Sequence, residues 1–160
     1  MTTFIKWFLF NAVFLTAIFF AESKGAISLM IKNDVSYLTI VIITLYVAVS
    51  GMVGRLCYLA DNLSKNKGKK AKDDLMKRAD VGWFAAEHFF SLGLLGTVFG
   101  LCVATATSLE AEAQVSTIVS GLKEGLHTAF YTTICGIVFS LPLQAQLMIL
   151  KFKIEERHDD

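Results

Sequence analysis

The chain has 160 residues, of which 54% are hydrophobic and 18% charged, with a mean hydropathy of +0.56 and a net charge of +1. Soluble domains carry about a quarter charged residues, and here the apolar residues are gathered into long runs, so the composition excludes an ordinary water-soluble core. A charge this close to neutral excludes a broad nucleic-acid surface.

The first apolar run extends from about Phe4 to Ala21 and contains six phenylalanines. Lys6 interrupts what would be the apolar core of a secretory signal, and Phe19 occupies a position where cleavage wants a small residue. The segment is therefore expected to be a retained membrane helix with its aromatic rings turned largely to lipid. The second run, from about Val35 to Ala60, follows the short connection Glu22–Asp34. Next comes the basic stretch "DNLSKNKGKKAKDDLMKRAD", expected as a loop, which is too short for a folded domain of its own. The third run covers about Trp83 to Thr107 and the fourth about Thr117 to Phe152. Each reaches or closely approaches the ~20 residues needed to span a hydrocarbon slab ~30 Å thick. The expected architecture is an all-α membrane protein with four transmembrane helices.

Lysine and arginine give the orientation. Lys65, Lys67, Lys69, Lys70, Lys72, Lys77 and Arg78 lie between the second and third segments, and Lys151, Lys153 and Arg157 follow the fourth. The other two connections show no such excess. By the positive-inside rule the basic stretch and both termini of this multi-pass chain are cytoplasmic. Trp7, Tyr58 and Trp83 fall at the inner interface and Tyr37 at the outer. From Tyr37 to Tyr58 is about 31 Å of helix, close to the slab thickness.

Little points to bond-making chemistry. Cys57, Cys102 and Cys135 lie inside predicted helices, with no CxxC and no ligand-spaced histidine or carboxylate, so no metal or cofactor is expected. Glu87 and His88 read as an interfacial pair that reaches headgroup water, with a proton-entry pair as the alternative, since histidine titrates near neutrality; the same two readings hold for His127. No activated nucleophile and no phosphate-binding loop is present, so the chain is not expected to be an enzyme.

The last two helices differ from the first two. In the third, Gly93, Gly96, Gly100 and Ala104 recur every three or four residues, a stripe of small residues of the kind that lets membrane helices approach closely. Thr97 sits about 100° round the helix from Gly96. In the fourth, Gly125, Ala129, Gly136 and Ser140 line one side, with Thr132 and Thr133 between them and Pro142 beyond. Pro142 removes one backbone hydrogen bond and is expected to bend its helix. Periodicity alone leaves two readings open: close packing around something polar, or ordinary packing with the hydroxyls bonded back to their own helix.

The motifs "LGLLGTVFG" (Leu92–Gly100) and "AFYTTICGIVFSLP" (Ala129–Pro142) resemble the MotA/TolQ/ExbB proton-channel family. There a G-T-V-x-G helix precedes one reading roughly A-L-x-T-x-x-G-x-x-x-x-x-P. Thr133 stands three residues before Gly136, and Pro142 six after it, as that pattern requires. The resemblance implies a ring of five subunits around two copies of a single-span MotB/TolR/ExbD-like partner that carries an aspartate. Residues 1–60 would be the outer-wall helices, 61–82 the short basic cytoplasmic loop, 83–152 the pore-lining pair and 153–160 the cytoplasmic tail. Thr97 and Thr133 would face the pore, with Thr132, Thr128 and Ser140 also on the ion pathway. Gly93, Gly96, Gly100, Gly125, Gly136 and Pro142 would serve helix packing.

Thr128 stands where ExbB-like members carry a glutamate, and only the basic stretch stands where flagellar stators have a large cytoplasmic domain. The resemblance therefore implies a motor or channel core driven by the proton-motive force, in contact with membrane lipid. Two other classes are a small four-helix exporter and a non-conducting membrane scaffold. An exporter needs a mid-membrane charge to couple ions to substrate, and here every carboxylate lies near a predicted helix end.

Overall fold

The computed structural model describes residues 2–62, 69–108 and 115–156. It contains α1 (Thr2–Ser23), α2 (Ala26–Asn33), α3 (Leu38–Asp61), α4 (Lys69–Ser108) and α5 (Val115–Glu156). Four of these helices, all but α2, are long and apolar enough to cross a membrane.

α4 and α5 form the spine. Their 40 and 42 residues make rods about 60 Å long, twice the hydrocarbon thickness. The buried face of α4 runs Leu75, Ala79, Gly82, Ala86, Phe89, Gly93, Gly96, Gly100 and Ala104. Those steps of four and three give the 3.5-residue repeat of a coiled-coil seam. On α5 Gly125, Ala129, Thr132, Gly136, Ser140 and Leu147 meet this face, and Leu143, Leu150 and Ile154 are buried along the same helix toward its end. The seam therefore changes character along its length, with large side chains interlocking at the end of the bundle where α4 begins (the basic end). Toward the other end only glycine, alanine and threonine remain, and the backbones close up.

The basic stretch is not all loop. α4 begins at Lys69, inside the segment 61–82 expected as one, and carries the helix about 20 Å beyond Trp83. Leu75 and Ala79 are buried in this extension, and Lys151 of α5 pairs with Asp80 at 2.7 Å while lying 5.0 Å from the Trp83 ring centre. The charge of the segment hides a helical stripe that α5 is long enough to cover. α2 is a second addition. The connection Glu22–Asp34 turns through Gly25, whose φ of 72° suits glycine, into an eight-residue helix.

α1 is the most peripheral span, held to α3 by ring contacts of Phe4 with Tyr58 and Phe14 with Tyr46 and by polar and close-packed contacts along its length. The Asp61 carboxylate accepts from the backbone N–H groups of Thr3 (3.2 Å) and Phe4 (2.9 Å), satisfying donors that a helix N-terminus leaves free. Trp7 lies across Gly54, where a Cβ would come within 2.5–2.8 Å of the indole carbons. Deeper, Ser50 donates toward the side-chain oxygens of Asn11 (3.1 Å) and Gln146 (3.4 Å), joining α1, α3 and α5 through polar groups inside the apolar bundle. At the opposite end, buried Asp34 accepts from Ser36 N and Oγ (2.9 and 2.6 Å) and from Thr39 N (2.7 Å), capping α3.

Candidate functional site

The glycines of α4 and α5 face each other across the seam. A Cβ on Gly100 would lie 2.5 Å from the Gly125 carbonyl oxygen and 2.6 Å from the Ala129 nitrogen. One on Gly136 would lie 2.8 Å from Phe89 O, and one on Gly93 3.0 Å from Thr132 O. At Gly96 it would collide with the Thr132 side chain. The small stripe thus joins two helices of one chain. Pro142 sits inside α5, where it denies the Val138 carbonyl its intrahelical donor.

This approach brings Thr97 and Thr133 together. Their hydroxyls are hydrogen-bonded to each other. Thr97 Oγ1 also lies 3.3 Å from Gly93 O and 3.2 Å from Ala129 O, and Thr133 Oγ1 lies 3.3 Å from Gly93 O and 3.1 Å from Ala129 O. Each hydroxyl therefore reaches the carbonyl four residues back on its own helix and the matching carbonyl on the other. Four oxygens share two hydroxyl protons, so the group is rich in unused lone pairs. Both threonines are half-buried, whereas neighbouring Thr132 is wholly buried. The pair thus lies toward one edge of the seam, open to whatever chain packs there. Chemically, it can pass a hydrogen bond between helices or accept one from a water or an acid, but it holds no ionisable group.

The other hydroxyl residues expected on the pathway face elsewhere. Thr132 Oγ1 donates within α5, to Thr128 O (2.8 Å) or Ala129 O (3.3 Å), and fills the space over Gly96. Thr128 Oγ1 donates to Asn33 O (3.1 Å) and accepts from Val35 N (3.2 Å), pinning the α2–α3 connection to α5. Ser140 Oγ donates to Ala86 O (2.8 Å) and accepts from Gln144 Nε2 (3.0 Å). All three are buried, and their hydroxyls are engaged inside the protomer.

The candidate interfacial residues also have local partners. Glu87 accepts from Trp83 Nε1 at 2.7 Å, His88 Nδ1 lies 2.7 Å from Phe84 O, and the His127 ring lies beside Tyr131. Sequence reading passed over the Asn11–Ser50–Gln146 junction. The signal available was an amide, Asn11, in the middle of the first apolar run and two more, Gln144 and Gln146, inside the fourth, polar groups that are rare in lipid and face the bundle interior.

Between His88 and Ser108, and between Gly125 and Ile154, the sequence holds no carboxylate. Four apolar helices, two of them joined by a glycine seam with a paired hydroxyl at its edge, define a multi-pass membrane protein of the channel-subunit class. The chain belongs to the MotA/TolQ/ExbB proton channel family, whose model matches residues 48–160, the part that runs from mid-α3 through the whole seam. Neither a curated protein nor a solved structure matches it.

Proposed function

We propose that the chain is one subunit of a homopentameric ring that surrounds two copies of a single-span, MotB/TolR/ExbD-like partner and conducts protons past the partner's aspartate to drive mechanical work. In this reading α4 and α5 line the central pore, α1 and α3 form the outer wall, and the basic end faces the cytoplasm of a bacterial inner membrane. One observation carries it: the Thr97–Thr133 hydroxyl pair, cradled by two backbone carbonyls, on stretches of α4 and α5 (His88–Ser108 and Gly125–Ile154) that hold no carboxylate.

A hydroxyl does not ionise near neutral pH, so the pair can relay and orient a hydrogen bond but cannot store the proton. The storing group must come from another chain, and an acid on an inserted helix supplies it. A charge ring at mid-membrane would be costly; an uncharged polar track beside a single shielded acid avoids that cost.

The test is proton flux in liposomes, with and without the co-expressed partner, together with a subunit count of the gently solubilised complex. Five copies per complex and flux only with the partner's acid intact are expected. A robust proton current from this chain alone sinks the proposal. Two copies or a variable number would favour an exporter or a scaffold instead.

A further inference from the structure

From the Thr97–Thr133 pair toward the basic end, Glu87 is the first carboxylate that either helix offers. None lies between His88 and Ser108 on α4, and on α5 the next after Glu124 is Glu155. Glu87 stands about 15 Å along α4 from Thr97, whereas Glu155 stands about 33 Å along α5 from Thr133.

Helical spacing gives Glu87 its side. At about 100° per residue, Phe90, Trp83 and Glu87 stand about 20°, 40° and 80° round α4 from Thr97, all turned away from Gly93 and Gly96. His88 stands about 180° from Thr97, on the opposite side of the rod. Contacts with α5 show that Thr97 and Trp83 share one edge of the seam. Thr133 is bonded to Thr97, and Lys151, five turns further along α5, lies 5.0 Å from the Trp83 ring centre.

The Glu87 carboxylate is held on that edge. Trp83 Nε1 donates to its Oε1 at 2.7 Å, and Lys151 covers the same indole. Oε2 makes no hydrogen bond among the described residues, and the residue is exposed. The charged groups nearest on this edge, Asp80 of α4 and Lys151 of α5, pair with each other at 2.7 Å. Of the charged residues on α3, Asp61 caps α1, and Arg55 forms no ion pair among the described residues. Glu87 is therefore an oriented acid with one oxygen open.

We propose that Glu87 is the group through which the proton leaves the pore for water at the basic end. This step presupposes the proton-conducting ring. A proton released by the partner's acid beside Thr97 and Thr133 crosses the level of Phe90 on pore water. Glu87 Oε2 takes it from that water, leaving the water neutral and the side chain an uncharged acid. The acid then gives the proton to water on the basic side and returns to the carboxylate. Trp83 is a positioning residue, because its N–H fixes Oε1 and leaves Oε2 to turn to the water. His88, on the far side of α4, takes no part.

The experiment measures partner-dependent proton flux of the complete complex in liposomes, with either weak or concentrated impermeant buffer on the side of the basic end. Glu87→Gln keeps an oxygen for the Trp83 N–H but cannot carry a proton. In weak buffer it should lower flux about tenfold, less than for a proton-transfer group in a closed site because water is near, with the subunit count unchanged. Concentrated buffer should restore most of that flux, since a mobile buffer replaces a missing proton carrier but does not repair a misplaced helix. Glu87→Asp should retain more flux than Glu87→Gln. Trp83→Phe, which keeps a ring and removes the N–H, should fall between Glu87→Gln and the unaltered chain, and His88→Gln should match the latter. Unchanged flux in Glu87→Gln in weak buffer, a loss that buffer does not relieve, or a larger loss in His88→Gln would overturn the assignment while leaving the ring standing. An unaltered complex without partner-dependent flux would overturn the ring itself, and Glu87 with it.

Discussion

Gly100 and Gly125 meet backbone to backbone: a Cβ on the first would stand 2.5 Å from the carbonyl oxygen of the second, closer than real side chains approach. Neither neighbour is a flexible side chain that could turn away. Gly100→Ala should therefore force α4 and α5 apart and cost about 1–3 kcal/mol, the usual range for overpacking. Gly51 is the control: it is exposed, and a Cβ there meets nothing within 4 Å. Gly51→Ala should be neutral or stabilising by up to about 1 kcal/mol, since alanine favours helix. Unfolding in mixed micelles measures both; equal effects would mean the seam is looser than described.

Thr133→Val keeps the shape of the side chain and removes the hydroxyl that contacts Thr97, Gly93 O and Ala129 O. In complex with the partner, proton-driven activity should fall at least tenfold while the subunit count is unchanged. Thr133→Ser should retain a substantial part. Full activity in Thr97→Val with Thr133→Val would remove these residues from the pathway.

Thr128 provides the contrast. Its hydroxyl serves Asn33 O and Val35 N, so Thr128→Val removes both hydrogen bonds, at about 0.5–1.5 kcal/mol each. Hydrogen exchange at residues 33–36 should quicken, while proton flux per assembled complex stays near that of the unaltered chain. A loss of flux without faster exchange would put Thr128 on the pathway after all.

Asp61 caps α1 from another helix. Asp61→Ala should expose the amides of Thr3 and Phe4 to exchange and cost about 1–2 kcal/mol, in the range of lost caps. Asp61→Asn keeps an acceptor and should lose less. Unchanged exchange at Phe4 in Asp61→Ala would show that the first turn is held by other contacts.

Orientation can be read from single cysteines placed in a background lacking Cys57, Cys102 and Cys135. An impermeant thiol reagent added outside intact cells with a permeable outer membrane should label Tyr37→Cys, which is exposed at the end opposite the basic one. It should label Lys77→Cys only after the inner membrane is opened. The reverse pattern would invert the whole topology.

The spans were legible because a membrane helix announces itself by apolar length, and α1, α3 and α5 are long apolar runs. The start of α4 was masked by its own charge: eight of the ten residues Lys69–Arg78 are Lys, Arg, Asp or alanine, and hydropathy hid the Leu75–Ala79–Gly82 spacing. α2 is two turns long with lysines at its borders, too short for its apolar face to stand out. At the site, residue type singled out the threonines, but type does not say which way a hydroxyl turns. Thr132 lies three residues after Ala129 and four before Gly136, on the line of small residues itself; Thr133 is rotated about 100° away. The pairing of Thr97 with Thr133 depended on the register between two helices, which no single-helix pattern contains.

The extension of α4 and α5 past Trp83 also gives the molecule mechanical leverage. The two rods are zipped by large side chains at the basic end and pressed backbone to backbone toward the other, so they resist bending separately. A tilt of about 10° imposed near Thr97 would swing the far tip at Lys69, some 40 Å away, through roughly 7 Å. A sub-ångström rearrangement around a proton would remain invisible there, but a small rocking of the pair would be delivered outside the membrane as a displacement large enough to push on something.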